Sequence, residues 1–220
     1  MSDSQNSDFA AQRRRMVVEQ LRARGIADER VLAAMERIPR HEFLDPGARA
    51  QAYDDCPLPI GAGQTISQPY IVALMLQALA PAPTDTVLEI GTGSGYVAAL
   101  LSELAARVIS IERVPTLAAL ADRTLRALGY HNVEVLTADG SLGLPEQAPF
   151  DAILVSAAAP AVPAPLVAQL ADGGRLVAPL GGPVLQELTL IRKLGGETSV
   201  SVLEGCRFVP LVGVHGFHPQ

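Results

Sequence analysis

Val87-Leu88-Glu89-Ile90-Gly91-Thr92-Gly93-Ser94-Gly95 runs a short apolar stretch into three glycines at alternate positions. Aliphatic residues that end abruptly at glycine read as a buried strand. The glycines allow the backbone to approach a ligand closely, and the helix that follows aims its free N–H groups at the same place. The spacing is Gly-x-Gly-x-Gly, not the Gly-x-Gly-x-x-Gly of dinucleotide folds. Glu89 stands just inside the strand end, where its carboxylate would repel a pyrophosphate but suits a ligand bearing an ammonium and a sulfonium. The expected cofactor is therefore S-adenosylmethionine, with S-adenosylhomocysteine as its product.

Outward from this turn, strand and helix patterns alternate. Thr86–Ile90 is predicted as a strand, Ser94–Ala105 as a helix, Val108–Ile111 as a strand, Pro115–Leu128 as a helix and Val133–Leu136 as a strand. That is half of a doubly wound, mostly parallel α/β sheet, the Rossmann-like architecture of S-adenosylmethionine-dependent methyltransferases. Phe150–Val155 continues it as a strand and Pro165–Leu170 as a short helix, Asp172-Gly173-Gly174 reads as a turn, and Arg175–Leu180 as another strand. Glu187–Ile191 and Val202–Phe208 follow with no helix between them, which predicts an antiparallel edge. Glu112 ends the second strand about twenty residues beyond the glycines, where a carboxylate can accept both ribose hydroxyls. Asp139-Gly140 ends the third, placed to read the adenine edge.

Upstream of the sheet, Phe9–Arg24 has helical spacing with Gly25 as its stop, and Asp28 is placed to cap a second helix that Pro39 ends. Leu44–Gly63 reads as loop with short extended pieces, and a third helix begins near Pro69. Residues 1–80 are thus an N-terminal helical extension carrying a loop, and residues 81–220 the Rossmann-like core, the two forming one compact unit.

Composition sets the outer limits. Hydrophobic residues make up 49% of the chain and aromatics only 4%, so Ala, Val, Leu and Ile must fill the core. A formal net charge of -6 argues against a nucleic-acid partner, whose affinity would come from phosphate neutralisation. No apolar run is long enough to span a bilayer. Cys56 and Cys206 are far apart and lack metal-ligand spacing, which fits a reducing cytoplasm and no zinc site. A monomer is expected.

The acceptor side is read from what the sequence offers a nucleophile. Methyl transfer from a sulfonium is an in-line displacement that needs alignment, exclusion of water and, only for a protonated nucleophile, a base. The strand before Ser156-Ala157-Ala158-Ala159-Pro160 ends without the Asn-Pro-Pro-Tyr type of motif that accepts hydrogen bonds from a base amino group. There is no His/Asp/Glu cluster suggestive of a magnesium site. A carboxylate, with a pKa near ~4, is ionised at neutral pH and requires neither base nor metal. In the loop Pro57–Tyr70, Ser67 suits two roles: an N-cap for the helix starting near Pro69, or a hydrogen-bond donor to a substrate carboxylate.

Gly63-Gln64-Thr65-Ile66-Ser67-Gln68-Pro69, together with Met16–Ile26, Arg37–Phe43, Val87–Tyr96, Asp139-Gly140, Phe150–Pro160, Asp172–Leu180 and Arg207–Leu211, resembles the protein-L-isoaspartate O-methyltransferases over nearly the whole chain. The resemblance implies methyl transfer to the α-carboxylate of L-isoaspartyl residues in damaged proteins and peptides, the ester then closing to a succinimide so that repair begins. It implies Ser67 as the catalytic residue. Cofactor contacts would fall at Glu89, Gly91, Gly93, Gly95, Glu112, Asp139 and Gly140. Peptide contacts would fall at Thr65, Ile66, Ser67, Arg207 and Val209. Two alternatives stay open: a peptide aspartate carboxyl methyltransferase, and a non-catalytic S-adenosylmethionine-binding module. His41, His215 and His218 suggest no chemistry, and Cys56 reads as a packed thiol.

Overall fold

The computed structural model describes residues 3–218, with side chains from residue 8 onward. Helix α1 (Asp3–Arg15) passes into a π-helical stretch, Met16–Leu21, and a 3-10 turn, Arg22–Arg24, that stops at Gly25 in the left-handed region. The wider π turn puts Met16, Val17 and Leu21 together in the core. Helix α2 (Glu29–Arg37) starts at Asp28, whose side chain accepts from the N–H groups of Arg30 and Val31, and Pro39 follows its end. Two 3-10 turns follow, Arg40–Phe43 and Pro46–Gln51, and the second occupies part of the region expected to be loop.

A hairpin comes next, β1 (Leu58–Gly61) and β2 (Gln64–Ile66), antiparallel and joined through Ala62 and Gly63, both with positive φ. That handedness matches the twist of the paired strands. Helix α3 (Pro69–Leu79) begins with proline in its first turn, where no N–H is missed.

The core alternates as expected: β3 (Thr86–Ile90), α4 (Tyr96–Leu104), β4 (Arg107–Glu112), α5 (Pro115–Ala127), β5 (Val133–Thr137), β6 (Phe150–Val155), α6 (Ala164–Ala168) and β7 (Leu170–Gly181). Two long strands, β8 (Gln186–Leu194) and β9 (Glu197–Cys206), close the sheet. The order is β5-β4-β3-β6-β7-β8-β9, parallel from β5 to β7 and antiparallel thereafter. The chain winds outward from β3 to β5 and then returns to β6 on the other side of β3. The carboxyl ends of β3 and β6 therefore form the switch point at which ligands bind in open α/β sheets.

One expectation is corrected. Asp172-Gly173-Gly174 is not a turn between elements but a bulge inside β7. Phe150 pairs with Leu170 and Ala152 with Arg175, so the single residue Asp151 faces four residues of β7. Gly173 has φ +80°, and a Cβ on Gly174 would lie 2.8 Å from the Ala171 carbonyl oxygen. The two glycines absorb the excess chain while the pairing resumes.

Alternation along the strands sends successive residues to opposite faces. Met16, Met35, Leu76, Val87, Leu100 and Leu154 share one hydrophobic cluster, so the N-terminal helices and the sheet bury their apolar surface together. Leu88, Ile109, Ile153, Leu166 and Leu176 form the cluster on the other face. Arg175 reinforces the join, donating to the Leu79 and Ala80 carbonyls and pairing with Asp85 at 2.5 Å. Among the described residues no helix is long and apolar enough to cross a membrane.

Candidate active site

The strand ends build the first cleft. Gly91 leaves β3 with φ +92°, and its N–H donates to Ile111 O at 2.8 Å. A Cβ on Gly91 would sit 3.5 Å from Ser156 Cβ, and one on Gly93 would sit 3.3 Å from Ile60 Cδ1 of the hairpin. Larger residues would narrow the space between sheet and hairpin. Glu112 is 7% exposed; its Oε2 accepts from Gly93 N–H and its Oε1 from Val114 N–H, each at 2.9 Å. Each oxygen keeps a lone pair for a ligand hydroxyl. Among the described residues Glu112 is the one charged side chain lining this cleft; its other polar side chains include those of Thr65, Ser67, Ser94 and Ser156. A donor set with a carboxylate and no Lys or Arg fits a cationic adenosyl ligand and not a pyrophosphate.

A second cleft of about 460 Å³ opens beside the first, between α3, the end of β9 and the segment that follows it. Thr65, Ser67 and Val209 line both clefts. Val209 is held there because the strip Arg207–Leu211 lies across the end of β6: Ala158 N–H donates to Val209 O at 2.8 Å and Leu211 N–H to Ala158 O at 2.7 Å. Ser67 is partly exposed, and its hydroxyl has no hydrogen-bond partner among the described residues. It is not the helix cap that spacing allowed. Gln68 occupies the cap position, and Asp55 Oδ1 accepts from Tyr70 N–H at 3.0 Å in its place.

The outer wall is charged and locked. Asp55 Oδ2 pairs with Arg24 at 2.5 Å and accepts from Gln68 at 2.7 Å, Arg24 lies 3.4 Å above the Tyr70 ring, and the Tyr70 hydroxyl donates to Glu204 at 2.9 Å. Arg207 is exposed and lines this cleft.

Two expected cofactor contacts are corrected. Glu89 is 0% exposed and lies beneath the glycine turn, not in the cleft. Its Oε2 accepts from Ser110 Oγ at 2.5 Å, and Ser110 Oγ shares a hydrogen bond of 2.6 Å with Thr92 Oγ1. Glu89 thus reaches the turn through two hydroxyls. Gly95 caps α4 with φ +90°, and a Cβ there would meet Ala121 and Leu125 of α5 at 3.3 Å. Its smallness serves helix packing, and it does not line the cleft.

Asp139 and Gly140 lie at the β5 end, outside both clefts. A Cβ on Gly140 would come within 2.5 Å of Ile90 Cγ2, so only glycine fits there. Asp139 Oδ1 accepts from the N–H and hydroxyl of Ser141, and Oδ2 accepts from Val214 N–H, fastening the C-terminal turn. Partial burial pushes the Asp139 carboxyl up, but these hydrogen bonds outweigh it and hold its pKa below the ordinary carboxylate value.

The sequence pattern of the family described as Protein-L-isoaspartate(D-aspartate) O-methyltransferase matches residues 12–216. The chain belongs to this family. A protein-L-isoaspartate O-methyltransferase of Koribacter versatilis is 58% identical over 96% of this chain and 95% of its own. One from Methanoregula boonei is 54% identical over 94% and 95%. Among solved structures, a chain described as a protein-L-isoaspartate O-methyltransferase superposes with a TM-score of 0.81 at 30% identity, covering 93% of this chain and 67% of that one. A Plasmodium falciparum chain described as belonging to the same enzyme class, solved with S-adenosyl-L-homocysteine, gives 0.78 at 28% identity over 89% and 96%.

In this isoaspartyl methyltransferase family member, several side chains around the clefts escaped the sequence reading. Thr92, in the glycine turn, and Ser110, inside β4, carry no signal of their own. Tyr70 and Glu204 meet across 134 residues of sequence, and Arg40 stands among Glu36, Arg37, His41 and Glu42 with nothing local to mark it as the buried one.

Burial raises the Glu89 carboxyl to about 8 from its ordinary 4.5; the Ser110 hydroxyl works against the rise and the nearby Glu112 carboxylate adds to it. The folded protein thus holds a proton that the unfolded chain releases near pH 4.5. Stability is expected to fall as pH rises from about 4.5 to about 8 and then to level off with respect to this group. Glu89→Gln should remove that component. Melting temperatures of the two proteins across the window test it, and parallel curves would show that Glu89 ionises normally.

Proposed function

We propose that this chain transfers a methyl group from S-adenosylmethionine to the α-carboxylate of L-isoaspartyl residues in proteins and peptides. The observation that carries the reading is the position of Ser67: its unpartnered hydroxyl faces the cofactor cleft and the larger cleft at once. Family membership supports it.

The bound cofactor supplies an electrophilic methyl group. The chain's own residues have three tasks. Ser67 donates a hydrogen bond to one oxygen of the acceptor carboxylate and so fixes its direction of approach, with Thr65, Ile66 and Val209 closing the space around it against water. Gly91 and Gly93 admit the cofactor close to the backbone, and Glu112 accepts from the ribose hydroxyls. Asp139-Gly140, at the end of β5 and outside the lining of the first cleft, would take the adenine end through backbone and the one lone pair left on Asp139 Oδ2. An acceptor that is already ionised needs no general base, and methyl transfer to it needs no metal. The methyl ester is a better acyl electrophile than the carboxylate, so the neighbouring backbone nitrogen attacks its carbonyl and, with loss of the amide proton, expels methanol, closing the succinimide without help from the protein.

Residues 1–80 then serve mainly the acceptor and residues 81–220 mainly the cofactor. Arg207, exposed at the mouth of the acceptor cleft, contacts the flanking peptide. The net charge of -6 disfavours nucleic acid, and two free thiols suit the cytoplasm of a cell in which the protein acts as a monomer.

The deciding experiment offers methyl-labelled S-adenosylmethionine with an isoaspartyl peptide and its aspartyl twin. Label is expected on the first alone. Equal labelling would favour a general aspartate carboxyl methyltransferase, and cofactor binding without label on either peptide would leave a binding module.

A further inference from the structure

Arg40 is among the largest wholly buried side chains of the described residues, at 0% exposure, and nothing in the proposed chemistry accounts for it. It stands at the start of the 3-10 turn that follows α2. Its Nε donates to Ala52 O at 2.8 Å, and its Nη2 donates to Ser67 O at 2.8 Å. Its guanidinium carbon lies 4.9 Å from the centre of the Tyr96 ring, and Tyr96 opens α4 and lines the cofactor cleft. Nη1 and the Tyr96 hydroxyl are both buried without a hydrogen-bond partner. The side chain has no carboxylate partner among the described residues.

A buried guanidinium with no carboxylate in direct contact, Asp55 acting on it only from a distance, is a costly way to fill a core, and apolar residues of similar volume often serve stability better. What this one does that an apolar residue could not is geometric. One rigid planar group holds the main chain of Ser67, the end of the 3-10 turn before the acceptor loop, and the first residue of the cofactor helix. In-line transfer depends steeply on the separation of acceptor and donor, and a displacement of 1 Å can cost on the order of 100-fold.

Resting on the functional reading above, we propose that Arg40 is a positioning residue for methyl transfer: through the Ser67 carbonyl and the Tyr96 ring it fixes the distance between the acceptor-orienting hydroxyl and the cofactor turn. It touches neither substrate. Lysine keeps the charge but offers a point donor where two carbonyls and a ring face are to be held together.

The test uses the full chain with Arg40→Lys and Arg40→Met, each alone and in a Ser67→Ala background, measuring kcat on an isoaspartyl peptide, cofactor Kd and thermal melting. Arg40→Lys is expected to lower kcat by on the order of 10- to 100-fold with cofactor Kd changed by less than about threefold. Because Arg40 acts through Ser67, the same substitution should cost little more once Ser67 is alanine. Full additivity in the double variant, an unchanged kcat, a cofactor Kd that weakens as much as kcat falls, or failure of both variants to fold would each overturn the inference and assign Arg40 to the fold. A wild-type protein that labels no isoaspartyl peptide would overturn the functional reading and this inference with it. Those variant outcomes beside an active wild type overturn this inference alone.

Discussion

Replacing Ser67 by alanine is expected to lower turnover on an isoaspartyl peptide by on the order of 10- to 100-fold while leaving S-adenosylmethionine affinity within about twofold. The asymmetry follows from the surroundings of the hydroxyl. It has no partner among the described residues, so its removal strands no donor or acceptor of the protein. The helix start nearby is capped by Asp55 through Tyr70 N–H, and the Ser67 carbonyl stays with Arg40, so the backbone keeps its fastening. What disappears is a donor to an ionised oxygen, an interaction worth about 1.5–3 kcal/mol. Steady-state kinetics with saturating cofactor, together with calorimetric titration of the cofactor, check both halves. A large loss of cofactor affinity would move Ser67 from the acceptor to the cofactor.

Glu112→Ala is expected to do the reverse, weakening cofactor binding by on the order of 100-fold. Two losses combine. The ribose hydroxyls lose a charged acceptor, at about 1.5–3 kcal/mol, and the N–H groups of Gly93 and Val114 lose the carboxylate that holds the turn around the ligand. Glu112→Gln should be nearly as harmful. Both carboxylate oxygens accept from backbone N–H groups, so either orientation of the amide sets a donor against a donor. With cofactor raised to saturation, turnover should recover to within a few-fold of wild type in both variants. Calorimetry measures the first effect and kinetics at high cofactor the second. Unchanged affinity in Glu112→Ala would remove this residue from the cofactor site.

The two residues differ in how visible they were. Glu112 could be placed because it ends a strand that begins a fixed distance after a glycine turn, and strand-end position is a local property of the chain. Ser67 was ambiguous, since a hydroxyl two residues before Pro69 has the spacing of a helix cap, and only Asp55, packed against the same helix start, shows the cap to be supplied from elsewhere. Asp172-Gly173-Gly174 was misread for a related reason. Aspartate followed by two glycines suits a turn and a bulge equally, and the choice depends on whether β6 lies alongside to resume pairing. Glu89 and Gly95 sit inside the glycine motif and so looked like ligand contacts. Their neighbours Ser110 and Leu125, on other elements, show them to be a support under the turn and a packing contact.

By itself the sequence determined the alternation of strands and helices through the α/β core and the placing of glycines and a carboxylate at strand ends, because periodicity and glycine placement act over a few residues; the order of the strands in the sheet is a property of the tertiary structure. The chain's resemblance to a family added the acceptor. The tertiary structure alone decided how that acceptor is housed. The second cleft is assembled from Arg24, the segment Asp55–Tyr70 and the strip Glu204–Val209, and Arg40 fastens it from beneath. Those groups lie far apart along the chain, and only the packing of the N-terminal helices and the last strands onto the sheet brings them within hydrogen-bonding reach.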